Sequence, residues 1–344
     1  MILIIPICAY FAPSNKNPEN DQITILTTTQ MLEDTVKHLI GDVDLKELNK
    51  DDNHYQKIER FKCQTSLMGM GIDPHNYKTK LSDRNKIKTA NLVIVNGLHL
   101  EAKMTESFEL LNKDNVWKAG EKSLTEEDKL KIDDSKDCDP HIWFDIDLWI
   151  KVIEHLEIEL SNRCINPKEK DSLSNNKSLF IGKLRELKKH IIEEMRELKI
   201  KKKKNKEKLI IVTAHDAFSY WEVFSKKNNC SFELESIQGI STQTEANSKK
   251  IIELARKLAD NNVKSIFTEN SMPKDSLKSL QEQVNSFRQN KNLNPIKIPT
   301  NSELYSDSLG SDQLSETLGS GEYKHSTYIG AFLNNMKVIK DNLS

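Results

Sequence analysis

One segment limits the architectures open to this chain more than any other. From Pro167 to Lys204 there is no internal proline, and Leu173, Phe180, Leu184, Leu187, Ile191, Met195 and Leu198 recur at threes and fours. Pro167 suits the first turn of a helix, where its missing N–H costs nothing. Read as one helix, the segment is about 55 Å long at 1.5 Å per residue, longer than one domain is wide. A rod of that length with an apolar stripe is expected to act as a strut between two bodies. Its end, KIKKKKNKEK, sets cations at a helix C-terminus, where they offset the macrodipole. The rival reading of that run, a nucleic-acid or targeting patch, meets a chain with 51 Lys plus Arg, 52 Asp plus Glu and a net charge of -1. A general attraction to nucleic acid or to an anionic membrane is not indicated by that balance.

Short apolar runs alternate with helical patterns on both sides of the strut. Before it, ITILTTT at 23–29 reads as a strand entering a helix through Ile40. The polar stretch from Lys46 to Lys62 reads as a surface excursion, and Thr65 to Met68 as a short strand closed by Gly69 and Gly71. Helices are expected at Asp83–Ala90 and Leu100–Leu111, with the buried strand LVIVN at 92–96 between them. After the strut, strands are expected at 209–213, 232–237, 265–269 and 295–298. Helices are expected at 218–224, 245–259, 276–287 and 327–343. The expected class is therefore α/β, with two lobes, each a small and mostly parallel sheet wrapped by helices, joined by one long rigid helix. The divisions are a leader and tether at 1–22, a first lobe at 23–165, the linking helix at 166–207 and a second lobe at 208–344. Ligands of such folds sit at strand-end edges and in the cleft between lobes.

The first twelve residues, MILIIPICAYFA, are apolar throughout, and PSNKNPENDQ after them has the composition of a tether. They resemble the apolar part of a secretion signal without its positively charged start, and a buried first strand is the alternative. Cys8 stands where a bacterial lipoprotein would carry lipid, although Pro6 and Ile7 fit that site poorly. The other cysteines, Cys63, Cys138, Cys164 and Cys230, form no CxxC pair, so finger-type zinc sites are excluded. Their disulfide state is left open, with reduced and packed thiols as one outcome.

Three of the nine histidines sit in segments of one character: His75 in MGMGIDPHNY, His141 in CDPHIWFD and His215 in VTAHDAF. Each follows a strand or a Pro-marked turn, so each can project from a sheet edge. In the two DPH tripeptides, Pro fixes the backbone before the histidine and Asp can bond local amides. The result is a pre-positioned imidazole. Asp307, in ELYSDSLG, adds an anion after another strand. Three imidazoles and one carboxylate can close a four-coordinate site for a divalent cation. The alternative for each is a satisfied polar residue in the packing. The remaining six histidines are read as surface or packing residues.

These phrases, with ANLVIVNGLHLEAKM, IQGISTQTEA and IFTENSMP, resemble the metal-binding solute receptors of bacterial ABC transporters, the TroA-like group. The likeness runs from about Ile23 to the C-terminus in family order. It implies His75, His141, His215 and Asp307 as ligands, and His215 in place of the glutamate of some manganese receptors gives a nitrogen-rich site. Such a site favours zinc over manganese in equilibrium affinity, with manganese and iron(II) as the other cargoes. The resemblance also implies an exported or lipid-anchored monomer that hands its metal to a permease driven by an ATPase. It implies no catalysis, no nucleic acid, and membrane contact only through lipid on Cys8. Three departures are visible: the signal-like leader looks clipped, Lys46 to Lys62 looks inserted, and the His-rich loop of many zinc receptors is absent.

Two other functions compete. A zinc hydrolase would use the same histidines with Glu269 as general base, against which stands a structural contact for that carboxylate. A surface adhesin would hold the metal as a structural element.

Overall fold

The structure, a computed structural model, describes residues 22–43, 54–109, 111–132, 137–242, 248–300 and 302–344. The leader with Cys8, much of the polar excursion after Lys46 and the start of the helix expected from Glu245 lie outside these residues.

The first lobe carries β1 (Ile23–Thr27), α1 (Gln30–Ile40), β2 (Phe61–Cys63), α2 (Leu81–Thr89) and β3 (Leu92–Val95). It continues with α3 (Thr105–Glu109), β4 (Val116–Lys118), α4 (Ala119–Ser123) and α5 (Ile146–Ser161). Its four strands are all parallel in the order β2-β1-β3-β4, with Ile25 opposite Leu92 in the central pair. Both faces are covered, which is why Leu92–Val95 is apolar at every position and wholly buried. Gly41 closes α1 at φ 71, and a Cβ there would fall 2.3 Å from the Gln56 carbonyl oxygen. Glycine is therefore required by both the turn and the close approach.

The expected strut is one helix, α6 (Pro167–Lys204). Asn166 caps it by accepting from the Glu169 amide, and its last turn carries Lys201 to Lys204. Every member of the apolar stripe read from the sequence is buried. The helix packs on α1 and α5 of the first lobe and on α10 (Tyr328–Leu343).

The second lobe starts with β5 (Ile210–Thr213), α7 (Ser219–Lys227) and β6 (Glu233–Ser236), then α8 (Ser248–Asp260) and α9 (Asp275–Gln289). A hairpin, β7 (Ser315–Leu318) and β8 (Gly321–Lys324), precedes α10. β5 and β6 are parallel. The expected strands at 265–269 and 295–298 are reduced to the isolated parallel bridges Ser265–Lys297 and Glu269–Leu304, and the Phe267 amide ties the first of these segments to β5 by donating to the Val212 carbonyl at 2.8 Å. One apolar core runs from Ile25 and Leu32 through α6 to Phe332 and Ile339, so the two lobes share packing along the strut. Among the described residues, no helix is long and apolar enough to cross a membrane.

Two local expectations are corrected. The second strand is Phe61–Cys63, not Thr65–Met68, which is loop. Only Phe61 of it is fully buried, so the edge strand lacks an apolar run to announce it. The helix expected over Leu100–Leu111 is reduced to a 3-10 turn at Ala102–Met104 and the short α3. Gly97, Leu98 and His99 in succession have positive φ, which holds the chain in a turn just upstream.

Candidate metal centre

Each of the four donor residues stands at the end of a strand or on a proline-set turn. His75 and His141 each close a DPH tripeptide, and the aspartate works the same way in both. Asp73 Oδ1 accepts from the His75 amide at 2.9 Å, and Asp139 Oδ1 accepts from the His141 amide at 2.9 Å. Asp139 Oδ1 also lies 2.7 Å from His141 Nδ1, which turns Nε2 inward. His215 follows β5, and Thr213 Oγ1 donates to its carbonyl at 2.8 Å. Glu269 holds this turn from the neighbouring segment. Its Oε1 accepts from the Ala214 and His215 amides, and its Oε2 lies 2.6 Å from His215 Nδ1. Asp307 lies three residues beyond Leu304, in a loop that Trp143 Nε1 grips by donating to the Ser306 carbonyl at 3.0 Å. Trp143 also stands edge-on to the His141 ring.

These turns bring all four expected residues together. His75, His141, His215 and Asp307 are buried, and one ligand atom from each lies within 4.8 Å of the other three. His75 Nε2 is 3.2 Å from His141 Nε2, while His141 Nε2 and His215 Nε2 are each 3.3 Å from an oxygen of Asp307. Donors bound tetrahedrally at about 2.0–2.1 Å from one ion stand about 3.3 Å apart, and these three distances match that spacing, with His141 and His215 facing different oxygens of Asp307. Both Asp307 oxygens are buried without a well-formed hydrogen bond.

The electrostatics point the same way. Burial, with the neighbouring imidazoles adding to it, pushes His75 down to about 4, which keeps it neutral. At His141 burial is outweighed by Asp139 and Asp307, which raise it to about 9. At His215 burial is likewise outweighed by Glu269 and Asp307, and the ring is held well above its ordinary value. Asp307 is held well below the carboxylate range, because His215 and His141 overcome its burial. Three buried carboxylates, Asp139, Glu269 and Asp307, thus face the imidazoles and draw positive charge into the site. A divalent cation meets that demand with one ion.

The sequence motifs point to all four residues of this cluster and to Glu269. They do not single out Trp143, Asn270 or Thr242. Asn270 Nδ2 donates to Ser308 Oγ and its Oδ1 accepts from the Ser306 amide, so it shapes the Asp307 loop. Its position directly after Glu269 is the one signal that pointed to it. The histidines read as packing residues behave so where they are buried: His38 stacks on Phe180 at 4.0 Å, and His325 Nδ1 meets Tyr305 Oη at 2.9 Å.

Two α/β lobes on a rigid helical spine, with four buried candidate donors between them, have the architecture of a cleft-type binding protein. The family model described as zinc-uptake complex component A, periplasmic, matches residues 25–342. The chain belongs to this family. It is 28% identical over 316 residues to the zinc-binding protein TroA of Treponema pallidum, covering 92% of this chain and 87% of the relative. It is 28% identical over 261 residues to the manganese-binding lipoprotein MntA of Bacillus subtilis, covering 76% and 79%. The solved periplasmic zinc-binding TroA of Treponema pallidum superposes with a TM-score of 0.74, covering 94% of this chain and 99% of that one.

Proposed function

We propose that the protein is an extracytoplasmic receptor that captures one divalent transition metal ion and delivers it to an ABC-transporter permease with its ATPase. The observation that carries the reading is the buried cluster of His75, His141, His215 and Asp307, drawn from both lobes, with one ligand atom of each within 4.8 Å of the others. The family supports export and transfer to a permease, and relatives are named for zinc or for manganese. Zinc is the metal favoured by three nitrogens in this geometry, with manganese and iron(II) as weaker ligands of the same site. The lobes are taken as 23–165 and 208–344 with 166–207 as the link, the receptor as a monomer, and the leader as an export signal with lipid on Cys8.

Catalysis is not part of the reading. A catalytic zinc keeps a position open for water beside a general base. Four protein donors close this site, and Glu269 is turned away from its centre: Oε1 accepts from the Ala214 and His215 amides and Oε2 lies 2.6 Å from His215 Nδ1. The test is elemental mass spectrometry on protein purified without chelator, beside a His75→Ala/His141→Ala double variant. About one equivalent of metal in the parent and none in the variant is expected. A parent that is empty and takes up no added zinc, manganese or iron(II) removes the proposal.

A further inference from the structure

The loop that carries His75 is fastened directly to the opposite lobe. Asp73 uses one oxygen on the His75 amide and turns the other, Oδ2, across the cleft, where Thr242 Oγ1 donates to it at 2.7 Å. Asn76, on the other side of His75, reaches the same place. Its Nδ2 donates to Asp73 Oδ2 at 2.9 Å and to Thr242 Oγ1 at 3.0 Å. The orientation of that amide is fixed, because Lys103 Nζ donates to Asn76 Oδ1. Thr242 is thus held by the residues two before and one after the first donor histidine.

The far end of this contact leads to the third donor. Thr242 lies three residues beyond Gly239, in a segment that is pinned to the His215 turn by two hydrogen bonds. The Gln238 amide donates to the Ala214 carbonyl at 2.9 Å, and the Asp216 amide donates to the Gly239 carbonyl at 3.4 Å. Closing the Asp73–Thr242–Asn76 contact therefore draws the His75 loop and the His215 turn toward each other. A charged acceptor meets a hydroxyl at a part-buried position, which strengthens the bond relative to a neutral pair.

We propose that Asp73, Asn76 and Thr242 form a clasp across the cleft that sets the rate at which bound metal leaves. Thr242 is a positioning residue: it touches no metal donor atom, and it acts by holding two donor-bearing loops in register. A spine packed continuously into both lobes leaves little room for wide hinge opening, so local release of the clasp is the step that separates His75 from His215. The proposal rests on the metal-receptor reading of the site.

The experiment loads the full chain with zinc and mixes it with excess chromogenic chelator in a stopped-flow instrument. The parent, Thr242→Val and Thr242→Ser are compared, and amide hydrogen exchange is followed over residues 72–77 and 238–242 in the metal-free forms. Thr242→Val keeps shape and loses the hydroxyl. It is expected to bind one equivalent, release zinc about tenfold faster, as loss of one charge-assisted hydrogen bond predicts, and exchange faster in both loops. Thr242→Ser is expected to return both readouts to within about twofold of the parent. A Thr242→Val protein that loads one equivalent and releases it within twofold of the parent overturns the clasp alone. A parent that loads no zinc overturns the site reading, and the clasp with it.

Discussion

At the scale of single residues, the site is organised by carboxylates that touch imidazoles rather than by imidazoles alone. Asp139 and Glu269 sit 2.7 and 2.6 Å from the outer nitrogens of His141 and His215, so each ring has one face of nitrogen left for the metal. Replacing Glu269 by Gln keeps an acceptor for the Ala214 and His215 amides and removes the charge. Zinc affinity measured by chelator competition is expected to fall about 10- to 100-fold, with the fold intact by circular dichroism. The same carboxylates set the pH response. His141 titrates near 9 in the metal-free protein and His215 is also raised, so both hold protons at neutral pH that a metal must displace. Affinity is therefore expected to rise from pH 6 toward pH 9, with about one to two protons released on binding at pH 7. Calorimetry in buffers of different ionisation enthalpy measures that number; a pH-independent affinity with no proton release contradicts the assignment.

At the scale of elements, α1, α6 and α10 pack on one another and carry the core that both lobes share. Leu187 of α6 is completely buried in the core shared by the lobes. Leu187→Ala is expected to cost about 2–5 kcal/mol, read by denaturant unfolding. The start of α10 is tied to α1 by Asp34, whose Oδ2 accepts from the Tyr328 amide at 3.0 Å, with His38 Nε2 at 3.7 Å from its other oxygen. Burial pushes Asp34 up to about 7, against the Tyr328 amide and Lys37, which lower it, and with Glu33, which adds to the rise. The folded state thus holds this proton more tightly than the unfolded state does, so the penalty of ionising Asp34 grows as pH rises from about 4 to 7. Asp34→Asn is expected to raise the melting temperature at pH 8 by several degrees more than at pH 4. Equal shifts at both pH values would place the Asp34 proton elsewhere. The sequence disclosed α6 because its stripe repeats without interruption. It concealed β2, whose one fully buried residue is Phe61, and broke the promise of a helix after Leu100 because the preceding turn consumes three positive-φ positions.

At the scale of the whole molecule, the core that runs through α6 makes the two lobes one packed body. Metal removal is therefore expected to leave a folded protein whose radius of gyration by X-ray scattering changes by less than about 1 Å. Added zinc in excess should raise the melting temperature in proportion to the logarithm of its concentration. Unfolding on chelation would instead mark the metal as structural and favour the adhesin reading.

The sequence by itself determined the spine, the alternation of strands and helices on either side of it, and which four residues come together in the buried cluster. Periodicity, proline punctuation and residue chemistry are local properties, and a linear chain displays them. What only the tertiary structure decided is distance and partnership: that residues 75, 141, 215 and 307 bring one ligand atom each to within 4.8 Å of the others, that Glu269 lies against His215, and that Thr242 reaches Asp73 across the cleft. These contacts join residues up to 232 positions apart. No local pattern encodes such a separation, because it is set by how two lobes pack on one helix.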